Sequence, residues 1–263
     1  MFDIEQTDAL WVDRGGEGTT TYLLLHGGGA NGDVWIGLRD IIKEKEAGQW
    51  IIPDILGHGR SPWSNSYSIG EFASSLAPIV RNSKRLIIVG HSMGGTIGLA
   101  LASGWYGFEV AGVMTIGTIA NWTEKMMEKN QKYMDKPTRI FQIREEAREH
   151  YMMVAGLTGL VKPNSSILDY GIAAMEDGYG LAADINILQS SGIPIGNISG
   201  SAQCPIRLTC GSNDPMVSVD ELSRYDPDAV EIPDTAHNSH VENPDTIWQI
   251  IDDFKRNLGD HGI

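Results

Sequence analysis

Short apolar runs alternate with stretches of helical spacing along much of this chain. Apolar runs at residues 22–25, 50–52, 86–90 and 110–116 are separated by glycine-rich turns and by segments with helical periodicity. This alternation is typical of a parallel sheet that has helices packed on both of its faces. The sequence therefore predicts an α/β fold built on a doubly wound, mostly parallel sheet.

The alternation is interrupted once. Residues 121–199 are helical or irregular in pattern, rich in methionine and punctuated by glycine, and strand-like runs resume at 206–209. We expect residues 1–120 and 200–263 to form one sheet domain, with 121–199 as a mainly helical insertion. The methionines suit either the core of this insertion or a wall that adapts to an apolar ligand.

Local patterns predict where several helices begin and end. Ser68 is followed three residues later by Glu71, which matches a capping box at the start of a helix over residues 68–80. Pro78 is expected to end or kink that helix. A final helix is predicted over residues 241–257.

Composition and cysteine spacing bear on partners and location. The net charge of −14 repels nucleic-acid phosphates and anionic lipid. We find neither an apolar stretch of membrane-spanning length nor a signal-peptide pattern at residues 1–12. Cys204 and Cys210 flank a predicted strand that would hold them about 20 Å apart, so they are expected to be free thiols in the cytoplasm. The expected partner is a small molecule, bound by a monomer or a homodimer.

A candidate nucleophile lies between a predicted strand and a helix of small residues. Residues 90–94 read Gly-His-Ser-Met-Gly. A serine in such a turn has strained dihedral angles, and its hydroxyl stands at a helix N-terminus, where the dipole favours developing negative charge. The flanking glycines leave room for the chain to pass itself. Ser92 is therefore the predicted nucleophile.

A serine nucleophile needs a base, and the base needs an acceptor that orients it. His237 and His240 both follow the last predicted strand, and the position directly after that strand favours His237. Asp214 follows the strand at 206–209 and is the predicted acid, because the alternative position, residues 117–120, has no carboxylate. A zinc site on the two histidines lacks further ligands nearby. Neither a metal nor a cofactor is expected.

An oxyanion hole is predicted from the glycines after the first strand. Residues 26–29 read His-Gly-Gly-Gly, and glycine lets backbone amides approach a ligand closely. The N–H groups of Gly28 and Met93 are the expected donors. His26 is expected to support the loop through hydrogen bonds. The glycines do not match the phosphate-binding motifs.

Four motifs together resemble the α/β-hydrolase superfamily. In chain order they are residues 26–29 (its HG oxyanion motif), 54–61 (its D-x-x-G-x-G-x-S loop), 90–94 (its nucleophile elbow) and 237–244 (its H-x-x-x-x-E-x-P motif). The last motif selects His237 over His240. The resemblance covers nearly all of the chain outside 121–199, and it implies that this insertion is a cap over the active site. Ala236 stands where the family often has glycine.

The resemblance implies a serine hydrolase, and the expected substrate is a small to medium carboxylic ester cleaved through an acyl-enzyme on Ser92. Four aromatic residues are predicted to contact an apolar or aromatic part of that substrate: Trp63, Trp122, Tyr133 and Tyr151. A lactonase, a thioesterase and a C–C bond hydrolase are alternatives on the same fold. A receptor that keeps the triad, or a cofactor-free oxygenase that uses His237 with dioxygen, would belong to a different class.

Overall fold

The computed structural model describes residues 10–259. The expectation about a signal peptide therefore falls largely on residues outside the described range. The strands are β1 (Val12–Gly16), β2 (Thr20–Leu25), β3 (Gln49–Pro53), β4 (Arg85–His91), β5 (Gly112–Ile116), β6 (Ile172–Met175), β7 (Gly178–Leu181), β8 (Ile206–Gly211) and β9 (Val230–Ile232). The α-helices are α1 (Ile36–Glu44), α2 (Ile69–Val80), α3 (Met93–Leu101), α4 (Glu124–Met134), α5 (Arg144–Val154), α6 (Ile195–Ser199), α7 (Val219–Leu222), α8 (Ser239–Glu242) and α9 (Pro244–Asn257).

Seven of the strands form one sheet, in the order β1-β3-β2-β4-β5-β8-β9. β1 is antiparallel to β3, and the other neighbouring strands are parallel. The predicted mostly parallel α/β fold is confirmed. Because parallel strands end at the same edge, the loops after β2, β4, β5 and β8 meet there, which is where such sheets bind ligands.

Side chains of the central strands alternate between two apolar cores. Tyr22 and Ile87 point into one core, and Leu23 and Ile88 point into the other. This follows from the two-residue period of a strand. Helices α1 and α9 cover the first face, and α2 and α3 cover the second. The sheet is therefore buried on both faces, as its nearly continuous apolar strands predict.

Helix α2 begins and ends where the sequence predicts. The Ser68 hydroxyl accepts a hydrogen bond from the Glu71 N–H at 3.1 Å. Pro78 lies inside the helix, which continues to Val80. Pro78 therefore does not end the helix, and the alternative expectation, a kink at Pro78, stays a prediction.

The segment between β5 and β8 holds α4, α5 and α6 together with an element that its sequence does not predict. β6 and β7 form a two-stranded antiparallel hairpin, and Phe141 forms an isolated bridge with Tyr179 of β7. Helix α4 has no buried residue, whereas α5 buries Ala147, Arg148 and Tyr151. Helix α5 is therefore packed against other parts of the structure, whereas helix α4 lies on the surface.

Two further expectations can be compared with the described residues. The predicted final helix is split at Asn243, whose side chain caps α9 by accepting from the Thr246 N–H at 3.1 Å. Cys204 and Cys210 are free, as predicted. Within residues 10–259, no helix is long and apolar enough to cross a membrane.

Candidate active site

Ser92 lies in a sharp turn between β4 and α3. Its backbone has φ +50° and ψ −116°, a region that residues other than glycine rarely adopt and that carries strain at functional sites. The strained dihedral angles predicted for this serine are therefore confirmed. The turn places Ser92 directly before the first residue of α3, above the ends of the parallel strands.

The glycines on both sides of Ser92 are sterically required. A Cβ on Gly90 would lie 2.4 Å from the Gly94 carbonyl oxygen, and a Cβ on Gly94 would lie 2.3 Å from the Leu25 carbonyl oxygen. Carbon atoms do not approach oxygen that closely, so neither position admits a side chain. Because these two positions have no side chain, the start of α3 can pack against the end of β2, beside the His-Gly-Gly-Gly loop.

His237 and Asp214 are hydrogen-bonded to each other. His237 Nδ1 lies 2.9 Å from Asp214 Oδ2. The Asp214 side chain is fully buried, whereas 20% of the His237 side chain is exposed. A carboxylate only accepts, so Nδ1 of a neutral His237 carries the proton and Nε2 keeps a lone pair. The Asp214 Oδ1 atom accepts from the Met216 N–H at 2.8 Å, which fixes the carboxylate.

Residues 116–118 connect Ser92 with this pair. The Ser92 N–H donates to the Ile116 carbonyl at 2.8 Å, and the Thr118 hydroxyl donates to the Ser92 carbonyl at 3.1 Å. Between them, Gly117 has φ +62°, and a Cβ there would lie 3.0 Å from both Asp214 Oδ2 and His237 Nδ1. The structure therefore brings all three predicted triad residues to one edge of the sheet, around Gly117.

His240 lies in a different environment from His237. It is 1% exposed, and its ring packs against the Trp35 ring at a centroid distance of 4.3 Å. Neither ring nitrogen has a hydrogen-bond partner among the described residues. Burial lowers the pKa of His240 to about 3. A neutral core ring is what this environment supports, and His237 is the histidine that pairs with Asp214.

The motif around His237 has a structural explanation. Glu242 Oε2 accepts a hydrogen bond from the Ala236 N–H at 2.9 Å, so the acid of the motif holds the backbone next to the histidine. Pro244 is the first residue of α9, where its missing N–H costs nothing. Ala236 in place of the more usual glycine is accommodated in this loop.

The two residues predicted to donate to the oxyanion, Gly28 and Met93, are neighbours. Met93 is the first residue of α3, so its N–H has no acceptor within the helix. A Cβ on Gly28 would lie 3.8 Å from Met93 Sδ and 3.9 Å from Ile187 Cδ1. The structure thus places the Gly28 backbone beside the residue that follows Ser92.

Two buried histidines hold the glycine loop. His26 Nδ1 donates to the Gly27 carbonyl at 2.8 Å, and its Nε2 accepts from the Ile55 N–H at 2.9 Å. His58 Nε2 accepts from the Gly29 N–H at 3.1 Å. Burial lowers the pKa of both rings, that of His58 to about 3. The supporting role predicted for His26 is confirmed, and the neutral His58 shares it.

Asp54 anchors the next part of the same loop. Its fully buried carboxylate accepts from the Gly32 N–H at 2.7 Å and from the Arg60 N–H at 2.8 Å, and it also pairs with the Arg60 guanidinium. Burial acts to raise the pKa of Asp54, but these bonds outweigh it and the pKa is lowered. A Cβ on Gly59 would lie 2.3 Å from Asp54 Oδ2, which explains the glycine of the motif.

The four predicted substrate-contacting aromatic residues are scattered. Tyr151 is 1% exposed, and its hydroxyl accepts a hydrogen bond from Asn31 Nδ2 at 3.0 Å. This corrects the expectation for Tyr151, because its ring packs in the core and its hydroxyl ties α5 to the glycine loop. Trp63 and Tyr133 are about half exposed, and Trp122 is partly buried; their contact with a substrate stays a prediction.

The sequence does not predict how the end of α5 reaches the site. Asn238, next to His237, donates through Nδ2 to the carbonyls of Ala155 and Gly156 at 3.2 and 3.1 Å. A Cβ on Gly29 would lie 3.2 Å from Val154 Cγ1. The end of α5 therefore contacts both the base loop and the glycine loop. In the sequence, this contact is signalled only by the asparagine next to the candidate base. The residues that Asn238 bonds to become known only from the structure.

Within the described part of the chain, no group of three or more histidine, cysteine, aspartate or glutamate residues is arranged to hold a metal ion. The candidate site combines a serine in a strained turn, a histidine oriented by a buried carboxylate, and N–H groups beside them. These are the parts that acyl transfer through a serine requires.

The sheet order and the strand-end loops define an α/β-hydrolase fold. The model of the alpha/beta hydrolase family matches residues 22–250. Since this match spans most of the chain, the protein belongs to that family. This family membership confirms the resemblance found in the four sequence motifs.

Proteins named as hydrolases are among those similar to this chain. The chain is 36% identical over 97 residues to the lipase LipV of Mycobacterium tuberculosis, a match that covers 36% of this chain and only 36% of that lipase. It is 23% identical over 251 residues to the Shigella flexneri protein named "Putative carbamate hydrolase RutD", covering 87% of this chain and 88% of that protein. The structure of E-2-(acetamidomethylene)succinate hydrolase superposes with a TM-score of 0.77 at 19% identity, over 94% of this chain and 95% of that one. The fold and these relatives support a hydrolase.

Proposed function

We propose that the protein is a serine hydrolase that cleaves a small to medium carboxylic ester through an acyl-enzyme on Ser92. One observation carries the proposal. Gly117 contacts both members of the His237–Asp214 pair, and the residues on either side of it are hydrogen-bonded to Ser92. A nucleophile, a base and a buried acid are therefore fixed around one glycine.

In the first step, His237 Nε2 takes the Ser92 hydroxyl proton as the serine oxygen attacks the carbonyl carbon of the ester. Asp214 stabilises the imidazolium that forms and keeps the imidazole in the required tautomer. The N–H groups of Gly28 and Met93 donate to the oxyanion. The helix dipole of α3 favours the same negative charge. His237 then gives its proton to the departing alcohol.

In the second step, water attacks the acyl-enzyme. His237 takes one proton from that water, and the tetrahedral intermediate collapses to release the carboxylic acid from Ser92. The Ser92 oxygen recovers a proton from His237, so the enzyme returns to its starting state. Each step uses the same base and the same oxyanion donors.

The residues near the oxyanion donors favour an apolar acyl group. Met93 Sδ and Ile187 Cδ1 face the α-carbon of Gly28, and Val154 Cγ1 faces that of Gly29. Ile187 and Val154 come from the segment between β5 and β8, which we propose as the cap. A carbonyl bound at Gly28 would therefore have apolar neighbours on both sides.

Hydrolysis of p-nitrophenyl esters from acetate to octanoate, together with a p-nitrophenyl carbamate, tests the proposal. Wild type is expected to hydrolyse the esters, with a burst of p-nitrophenol if deacylation is slow, and Ser92→Ala is expected to lose at least roughly 1,000-fold in kcat. Ester hydrolysis that survives in Ser92→Ala would contradict the proposal. Preference for the carbamate would show that the substrate is a carbamate and not an ester, and it would leave the proposed role of Ser92 unchanged.

A further inference from the structure

The residue before the proposed nucleophile is bonded to the proposed base. His91 is the last residue of β4 and is 4% exposed. Its Nε2 lies 3.0 Å from the carbonyl oxygen of His237. A carbonyl only accepts hydrogen bonds, so His91 is the donor and its Nε2 carries a proton.

The His91 ring is held on several sides. It packs edge-on against the His237 ring at a centroid distance of 4.7 Å and against the His240 ring at 4.4 Å. A Cβ on Gly27 would lie 2.7 Å from His91 Nδ1, so the glycine loop also closes on this ring. Burial keeps the pKa of His91 well below its ordinary value, and the ring is therefore neutral. A buried, neutral and closely packed ring is a rigid donor.

His91 and Asp214 hold different parts of His237. Asp214 bonds to the imidazole and sets its tautomer and direction, whereas His91 bonds to the main-chain carbonyl of the same residue. His91 is the neighbour of Ser92 in the sequence. Its hydrogen bond therefore connects the segment that carries the proposed nucleophile with the segment that carries the proposed base. These residues are 146 positions apart in sequence.

We propose that His91 is a positioning residue that holds the His237 main chain at the distance from Ser92 that proton transfer requires. This proposal rests on the proposed serine hydrolase function. The hydrogen bond of His91 is made to the main chain of His237 and not to its imidazole, so the effect of His91 passes through His237. Loss of the hydrogen bond should leave substrate binding intact and slow the chemical step, because proton transfer depends steeply on geometry.

A matched pair of substitutions isolates the hydrogen bond. His91→Gln keeps an N–H donor at about the position of Nε2, and His91→Met has a side chain of similar length and shape with no donor. His91→Met is expected to lower kcat roughly 10- to 100-fold with KM within about threefold, and His91→Gln is expected to stay within about fivefold of wild type in kcat. His91→Asn, whose amide is too short to reach the His237 carbonyl, is a second variant without a donor at the Nε2 position if the methionine protein fails to fold.

A spectroscopic readout separates positioning from general packing. The proton between His237 Nδ1 and Asp214 should give a downfield resonance in the proton NMR spectrum of wild type, identified by its loss in Asp214→Asn. We expect that resonance to persist in His91→Gln and to broaden or vanish in His91→Met, because the imidazole is no longer held by its main chain. Urea unfolding of both variants gives their stabilities alongside.

The results that would overturn the proposal are distinct. Equal losses of kcat in the glutamine and methionine variants, a loss confined to KM, or an unchanged resonance in His91→Met would each show that His91 only fills space. If wild type hydrolyses no ester and labels with no serine probe, the proposed function fails. The resonance then still decides whether His91 fixes His237.

Discussion

The loops at the strand ends and the segment between β5 and β8 meet at Ser92, but they are held in different ways. The loops are packed so closely that a Cβ on Gly90 or Gly94 would lie 2.4 Å or less from a backbone oxygen, and a Cβ on Gly117 would lie 3.0 Å from the side chains of Asp214 and His237. Such close packing restricts the movement of the proposed nucleophile and the proposed base relative to each other. It also rests on a sheet that is buried on both faces.

The segment between β5 and β8 packs against both apolar cores, for example through Tyr151 and Ile187. It is also joined to the rest through separate polar contacts. Tyr151 accepts from Asn31, Asn238 donates to the end of α5, and the Tyr67 hydroxyl donates to Asp184 at 2.9 Å. Each of these hydrogen bonds can be removed by a single substitution. We therefore expect changes in the strand-end loops to lower the rate of catalysis, and changes in the proposed cap to lower mainly the stability.

Asp214→Asn should have the largest effect. The amide can present N–H to His237 Nδ1, which would leave the imidazole in the wrong tautomer, and kcat for ester hydrolysis is expected to fall roughly 10³- to 10⁴-fold with a modest change in KM. Asp234→Asn is the control, because this exposed turn residue has φ +57°, which asparagine tolerates. Comparable activity in the two variants would remove Asp214 from the mechanism.

Gly117→Ala should have the next largest effect on rate. Its Cβ would press on Asp214 and His237 at 3.0 Å, and we expect a roughly 10- to 100-fold loss of kcat. Gly107→Ala is matched, because Gly107 also has a positive φ, +75°, but a Cβ there meets nothing within 4 Å. Both variants should lose about 1 kcal/mol in the free energy of unfolding from backbone strain. If kcat falls equally in both, contact with the pair is not the cause.

Tyr151→Phe probes an attachment of the proposed cap. It removes the acceptor of the buried Asn31 amide, which should cost about 1–3 kcal/mol in the free energy of unfolding, while kcat changes less than about threefold. Tyr133→Phe, on the exposed helix α4, is expected to be neutral in both measurements. A large loss of kcat in Tyr151→Phe with unchanged stability would contradict the division between the two regions.

His240→Phe should leave activity at neutral pH unchanged and alter only the pH dependence of stability. The pKa of His240 is about 3 in the folded protein and 6.5 ordinarily, so between these values the unfolded chain binds a proton that the folded chain does not. Stability is therefore lost as pH falls through this window. Between pH 7 and pH 5 this histidine accounts for a loss of about 2 kcal/mol.

Urea unfolding of wild type and His240→Phe at the two pH values measures that difference. The variant should lose about 2 kcal/mol less than wild type on going from pH 7 to pH 5. His150→Phe, at a half-exposed histidine of the proposed cap, should change the pH dependence less. An identical pH dependence in wild type and His240→Phe would show that His240 is not a neutral core ring.

The parts of the fold that could be predicted from sequence are those with local steric demands. The turn at Ser92 needs glycine two residues before and after it, and the Ser68 cap of α2 lies within four residues of chain. Gly117 carries no such pattern, because its requirement arises from side chains in the loop after β8 and in the loop before α8. The bond between His91 and His237 likewise joins residues that only the sheet brings together.

Two elements were missed because other chain segments stabilise them. β1 contains charged residues and two glycines, and its strand conformation depends on pairing with β3. The hairpin of β6 and β7 is rich in alanine and glycine, which disfavour strands, and it is supported by the bridge between Phe141 and Tyr179. Neither has the periodicity by which a strand is recognised in sequence.

The most direct test of the account is intact-mass spectrometry after treatment with a fluorophosphonate probe, on wild type, Ser92→Ala and Asp214→Asn. The account predicts a single adduct on wild type, none on Ser92→Ala and much slower labelling of Asp214→Asn. No adduct on well-folded wild type, or an adduct that persists in Ser92→Ala, would contradict the central claim that Ser92 is an activated nucleophile.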